Sequence, residues 1–258
     1  MTRTLTITTL VGLALPIQAA LLAHYDFTDG ILTNNEVGPA ETLTLINQGA
    51  NIITTTPQGS ASFPGETGAD ADYLELDRSG AGAGAFTVSI WFKTGTVDQG
   101  SFQGIFSNNV VNNPNNFSWQ IDVNGGIVRL VSATSGFPAI TNGDAGEPAI
   151  IPDVWNQIVA RKTGGSTADL WLGTETTPLQ SLGTANMNPG GLQYFRLGVN
   201  RNSDSLYEME MANVKIYDDA NVSLTDLNAE GPQLLAVPEP TTGLLVLLSL
   251  PLLLRRKK

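Results

Sequence analysis

Between residues 21 and 230 the apolar side chains recur at every second position or in short unbroken runs, and clusters of Gly, Asn, Asp and Pro interrupt them. A period of two puts alternate side chains on one face of an extended backbone, so the pattern predicts strands. They cover Leu21–Phe27, Leu43–Leu45, Ala61–Phe63, Tyr73–Leu76, Phe86–Lys93, Gly104–Ser107, Phe117–Val123, Ile127–Ser132, Trp155–Lys162, Ala168–Leu172, Tyr194–Leu197 and Glu210–Tyr217. One twisted sheet rarely holds so many, so at least two sheets must pack face to face. Asn124-Gly125 stands between two alternating runs, and Gly164-Gly165 links Asn156–Ala160 to Ala168–Leu172. Both supply the positive φ angles of a tight hairpin and predict antiparallel neighbours. Only Ser223–Glu230 reads as helix, with Ser223 or Thr225 as N-cap and Leu224 and Leu227 on one side. The asparagine-rich segment Asn108–Asn116 reads as a loop, and Gly231-Pro232 marks the end of the domain.

Both ends depart from this pattern. Met1-Thr2-Arg3 gives a basic start, Leu5 to Leu15 an apolar run, Pro16 a break, and Ala19 and Ala20 small side chains, which is the order of a signal peptide. The run is shorter than a membrane span. Cleavage by signal peptidase is expected after Ala19, with Ala20 and Ala23 as alternatives. Residues 1–19 are therefore assigned to the signal, 20–231 to the sandwich and 232–258 to a linker and sorting tail. In that tail Pro238-Glu239-Pro240 precedes an apolar run from Gly243 to Leu254 and the bases Arg255, Arg256, Lys257 and Lys258. The prolines hold the triplet extended, and the bases stay on the cytoplasmic side. As helix the run spans only ~18 Å of a ~30 Å hydrocarbon core, so it suits a marginal transmembrane segment and transient membrane association. The tail resembles the PEP-CTERM sorting signal of exopolysaccharide-producing Gram-negative and related bacteria. The resemblance implies an exosortase as processing partner at Pro238, Glu239 and Pro240. It also implies a destination at the cell surface, the outer membrane or the extracellular matrix.

Composition sharpens the class. Hydrophobic residues make up 41% and charged residues only 14%, with 27 glycines, which suits short strands and many turns. The net charge is −11, but five of the 13 bases and one of the 24 acids lie in the two ends. The middle thus carries 8 bases against 23 acids, a charge of −15, which repels phosphate backbones and excludes nucleic acid as a partner. There are no cysteines, so disulfides, thiolate catalysis and cysteine-based metal sites are excluded.

The order of the segments resembles the laminin-G-like, concanavalin A-like jelly rolls. His24-Tyr25-Asp26-Phe27 is similar to the opening strand of that family, and Phe63-Pro64-Gly65 with Asp72-Tyr73-Leu74 to the next signature. Phe86–Lys93 resembles its most typical strand, Trp155–Ala160 a later tryptophan-led strand, and Met211–Tyr217 with Leu224 to Leu227 its closing strand and short helix. The resemblance implies an all-β sandwich of antiparallel sheets. The chain departs from the family at Ala212-Asn213, where a pair of acidic residues is usual, and at Trp171-Leu172-Gly173.

Candidate chemistry is sparse. His24 is the only histidine, and no catalytic partner can be assigned to it, so packing or surface display is expected and no catalytic residue is nominated. Glu208 and Glu210 alternate on one strand face, which puts their carboxylates ~6.5–7 Å apart, near the range of glycosidase acid/base pairs. A solvated acidic face opposite a Met-lined core is the expectation, and a glycan-degrading enzyme the alternative. Asp26, Asp70 and Asp72, with Asp29 and Asp77, are the acids available to a structural calcium ion, the one cofactor allowed for. Trp119, beside Asn115 and Asn116, is the candidate for a sugar-stacking, ligand-binding platform. The expected function is noncatalytic recognition of an extracellular polysaccharide or surface protein, with a ligand-free structural matrix protein as the third reading.

Overall fold

A computed structural model describes residues 19–38, 41–46, 52–65, 72–78, 84–110, 113–132, 140–143, 145–163, 165–186, 192, 194–201 and 207–236. The strands are β1 (Leu21–Tyr25), β2 (Thr44–Ile46), β3 (Thr54–Thr55), β4 (Ala61–Phe63), β5 (Tyr73–Asp77), β6 (Phe86–Lys93), β7 (Gln103–Val110) and β8 (Asn113–Asn124). They continue with β9 (Ile127–Ser132), β10 (Ile140–Thr141), β11 (Asn156–Lys162), β12 (Thr167–Thr174), β13 (Gln180–Asn186), β14 (Tyr194–Leu197) and β15 (Met209–Tyr217), before helix α1 (Leu224–Ala229). One sheet runs β13-β12-β11-β6-β15-β4-β3, with β1 also on β15; the other runs β10-β9-β8-β7-β14-β5-β2. Every pairing among the described residues is antiparallel. This is the expected all-β sandwich of a concanavalin A-like jelly roll with one short helix near its C-terminal end.

The two sheets close on a common core because their strands alternate. Val88, Ile90 and Phe92 of β6 and Met209, Met211 and Val214 of β15 from one sheet share this core with Ile121 and Val123 of β8 and Phe195 and Leu197 of β14 from the other. Burial of each such side chain stabilises the fold by about 1.5–3 kcal/mol. Aromatic rings run through the centre: Phe86 stacks on Trp119 at 5.2 Å, Trp119 on Phe106 at 4.9 Å, and Phe106 on Phe195 at 5.6 Å. The sandwich reading expected Trp119 at a ligand; it is fully buried instead. Its position in β8 shares the inward face with Ile121 and Val123, and that alternation decides its orientation.

The outer face of the eight-stranded sheet is covered from the C-terminal side. Ser223 caps α1, its hydroxyl accepting from the Asp226 N–H at 3.2 Å. Gln157 on β11 donates to the Leu227 carbonyl at 3.0 Å, and Asn228 donates to Gln157 Oε1 at 3.0 Å and to the Thr174 carbonyl at 3.2 Å. Beyond the helix, Asn213 Nδ2 donates to the Gly231 carbonyl at 2.6 Å, and Lys215 pairs with Glu230. Leu234 packs on Trp91, Trp155 and Ala212, and the Leu235 N–H donates to the Gln58 carbonyl at 2.8 Å. Ordered contacts thus run past Gly231-Pro232. This cover explains why β6 is buried from Phe86 to Phe92 on both of its faces.

Of the segment Asn108–Asn116, expected as a loop, residues 108–110 and 113–116 are instead in paired strands. β7 extends to Val110 and β8 begins at Asn113, with Asn109 opposite Phe117 and Val110 opposite Asn113. Ladder hydrogen bonds are made by the backbone, so asparagines extend strands that their side chains do not advertise. No helix among the described residues is long and apolar enough to cross a membrane, and the apolar run 243–254 lies outside them.

Candidate binding cleft

The start of β15 lies between the ends of β4 and β6, and the residues at these three ends surround an open cleft of about 330 Å³. Its lining includes Ser62, Lys93, Thr94, Asp153, Glu208 and Glu210. Register explains the gathering: Glu210 stands opposite Lys93 on one side and Ser62 on the other, so the three side chains share the outward face. Lys93 Nζ lies 3.0 Å from Glu210 Oε1, and Ser60 Oγ donates to Glu210 Oε2 at 2.8 Å. The ammonium also sits 5.2 Å from the centre of the Trp155 ring. Both partners of the pair are partly exposed, so the pair contributes little to stability, ~0–1 kcal/mol; its effect is to fix both side chains in place.

Glu208 is held by its backbone. Gln99 Oε1 accepts the Glu208 N–H at 2.6 Å, and Gln99 Nε2 donates to the Glu208 carbonyl at 2.9 Å. Opposite, a β-carbon on Gly65 would lie 2.6 Å from Glu208 Cβ, so only glycine admits this close approach. The Glu208 carboxylate has no ion pair among the described residues. Asp153 adopts a left-handed φ of 59° and donates its N–H to the Thr94 carbonyl at 2.8 Å. Tyr207 anchors the neighbouring loop by donating to the Val97 carbonyl at 2.8 Å, and burial pushes its phenol up to about 12. Chemically, the cleft offers acceptors, hydroxyls and one fixed ammonium, the donor and acceptor mixture that a polyhydroxyl ligand needs.

The residues singled out in the sequence fall in different places. Glu208 and Glu210 come together in the cleft; Lys93, brought there by strand register, and Thr94 and Asp153, brought there by loop closure, were missed, as was Gln99, which holds the Glu208 backbone. Ala20 is bound to the sheet edge, donating to Asp218 Oδ1 at 3.0 Å and accepting from the Asp218 N–H at 3.2 Å. The backbone of Asn115 and Asn116 belongs to β8. The Asp26 carboxylate accepts from the N–H and the hydroxyl of Thr28, both at 3.0 Å. Asp72 is fully buried. Among the described residues no three acidic or histidine side chains gather in a group that could hold a metal. Asp70, Pro238, Glu239 and Pro240 lie outside the described residues. His24 Nε2 lies 3.0 Å from Asn213 Oδ1, and burial, aided by the nearby Lys215 charge, lowers its pKa below 6.5.

Residues 67–223, more than half of the chain, match the family described as the concanavalin A-like lectin/glucanases superfamily. No curated protein matches the chain by sequence. Among solved structures it is similar to domain 4 of AbnA, a GH43 extracellular arabinanase from Geobacillus stearothermophilus, in complex with arabinotriose. Identity is 17% and the TM-score 0.56, over 81% of this chain and 98% of that domain. It is also similar to the botulinum neurotoxin serotype D binding domain, at 10% identity and a TM-score of 0.56. A third is botulinum neurotoxin type C, whose cell entry is described as dependent upon interaction with two ganglioside molecules, at 13% identity and a TM-score of 0.52. Each match covers 81% of this chain, and the chain spans about half of each toxin structure, 50% in both cases. At these identities the likeness establishes the fold.

Proposed function

Since the chain belongs to the concanavalin A-like lectin/glucanase superfamily, we propose that it is an exported, noncatalytic binding protein whose polar cleft takes a carbohydrate. The observation that carries the reading is the state of the two carboxylates. Both oxygens of Glu210 are engaged, one by Lys93 and one by Ser60, while the Glu208 carboxylate has no ion pair among the described residues. A glycosidase needs two carboxyl groups, one acting as acid and the other as base or nucleophile. A carboxylate held in one position by an ammonium and a hydroxyl keeps lone pairs for ligand hydroxyls and serves as part of a hydrogen-bonding surface. Structural neighbours described with arabinotriose and with gangliosides support a saccharide as the ligand class. The signal-peptide pattern and the Pro238-Glu239-Pro240 tail support export and exosortase processing, with polysaccharide or a surface protein outside the cell as the partner.

The test is calorimetric titration of the full chain with neutral oligosaccharides, alongside an assay for released reducing ends. Binding is expected to weaken at least tenfold in the Lys93→Met, Glu208→Gln double variant, with no reducing ends released by either protein. Release by the wild type that Glu208→Gln abolishes would establish the glycan-degrading alternative instead.

A further inference from the structure

The cleft is one part of a longer strip on the outer face of the eight-stranded sheet. On β6, Ile90 and Phe92 point into the core, so Trp91 and Lys93 both point outward, ~6.5–7 Å apart. In the neighbouring strand β15, Glu210 stands opposite Lys93 and Ala212 opposite Trp91. Trp155 joins the two rows, because it carries the Lys93 ammonium on its ring and also packs in one cluster with Trp91 and Ala212. The strip therefore passes from the charged groups of the cleft directly onto two indole rings. Over those rings lies the segment Pro232–Leu235, whose Leu234 packs on the cluster.

That cover fits its place imperfectly. Gln233 holds a left-handed φ of 54°, which is uncommon for any residue but glycine. Beyond Gly231, among the described residues, the segment is tied by one hydrogen bond, from the Leu235 N–H to the Gln58 carbonyl at 2.8 Å. The indole N–H of the fully buried Trp91 has no acceptor among the described residues, and a leucine side chain cannot supply one. The same segment touches the wall of the cleft. Gln58 lies in a turn closed by the Gly59 N–H donating to the Thr56 carbonyl at 3.0 Å, and Ser60 of that turn donates to Glu210 at 2.8 Å.

We infer that Trp91 and Trp155 form a second saccharide subsite continuous with the cleft, and that Pro232–Leu235 is a displaceable cover over it; the inference rests on the carbohydrate reading of the cleft. A sugar chain reaching beyond the cleft puts the apolar C–H face of one ring on the indoles in place of Leu234. One of its hydroxyls then accepts the Trp91 N–H that the cover leaves unpaired. An aliphatic ligand would repeat what Leu234 already does and leave that donor as it is. Until a longer ligand arrives, the cover keeps two large rings out of water.

The chain has no cysteines, so a full-length Gln58→Cys, Leu235→Cys variant can be joined at those two positions alone by a reducible thiol crosslinker. The crosslinked protein and the same sample after reduction are titrated with neutral oligosaccharides of graded length. The crosslinked form should bind the shortest ligands as wild type does and the longer ones about tenfold more weakly, and reduction should restore the longer ones. Leu234→Ser, which loosens the cover, should bind the longer ligands more tightly than wild type, and Trp91→Phe, which keeps a ring but removes the N–H, should bind them more weakly. Equal affinity of the crosslinked and reduced forms for every ligand would overturn the inference and leave the cleft reading intact. A series in which no oligosaccharide binds, or in which the Lys93→Met, Glu208→Gln variant binds as the wild type does, would overturn the cleft reading as well.

Discussion

Removing Asp122 should be among the most damaging single changes on the outer face of the seven-stranded sheet. Its side chain is fully buried and pairs with Arg129, Nε to Oδ1 at 2.7 Å, whose side chain retains only 10% exposure. The alanine variant would leave the guanidinium buried beside the Phe102 ring but with no counter-charge. Breaking one side of a buried pair costs about 3–5 kcal/mol. For a domain of this size each kcal/mol lowers Tm by roughly 2–4 °C, so Asp122→Ala should melt about 6–20 °C below wild type in differential scanning calorimetry. Removing both charges tests the cause, because Asp122→Leu with Arg129→Met leaves no unpaired ion. That double variant should recover most of the loss or exceed wild type by up to about 4 kcal/mol. A single variant melting within the scan error of wild type, or a double variant as unstable as the single, would refute the assignment of the penalty to an orphaned charge.

The other expectations are simpler. Gly198→Ala places a β-carbon 2.3 Å from two atoms of the Phe63 ring at a φ of +85°, so overpacking and backbone strain together should cost about 2–5 kcal/mol in a urea melt. Trp119→Ala should cost about 3–5 kcal/mol as a core truncation without changing glycan affinity per folded molecule; a selective loss of affinity would return Trp119 to the ligand site. His24 has a folded pKa below its ordinary 6.5, so beneath pH 6.5 the unfolded chain binds a proton that the folded chain does not. Its contribution is fully present above pH 6.5 and falls as pH drops toward the folded pKa. His24→Gln should therefore lose less stability than wild type between pH 7 and pH 5. Mass spectrometry of the protein recovered from its native host should find residues 1–19 missing and the chain cut near Pro238-Glu239-Pro240, whereas an intact mass would contradict export by this route.

Strands that are apolar on at least one face were legible from sequence, and those defined by pairing alone were not. β6 and β9 begin and end where their alternation predicts, because Val88, Ile90, Val128 and Leu130 each face the core. β13, with the sequence Gln-Ser-Leu-Gly-Thr-Ala-Asn, places only Leu182 in the core, so its place at the sheet edge comes from its backbone ladder with β12. The same limit governs the sites. Glu208 and Glu210 could be nominated because they are two residues apart, but Lys93 and Asp153 reach them through register and loop closure. Tryptophan was expected at the ligand for its size, yet a large ring on an inward position is drawn into the core. Among the described residues Phe102 is an exposed aromatic, and its left-handed φ is a feature that no pattern of residue types reveals.

The segment after α1 also settles how the sandwich would respond to a pull at its C-terminal end. Force applied beyond Leu235 meets the Gln58 carbonyl first, then Leu234 seated on Trp91 and Trp155, then Gly231 and Glu230 fastened to Asn213 and Lys215. Those last two belong to β15, which is flanked by β6 on one side and by β1 and β4 on the other. Tension therefore passes from the β3–β4 turn straight to β6 and β15 in the interior of the sheet.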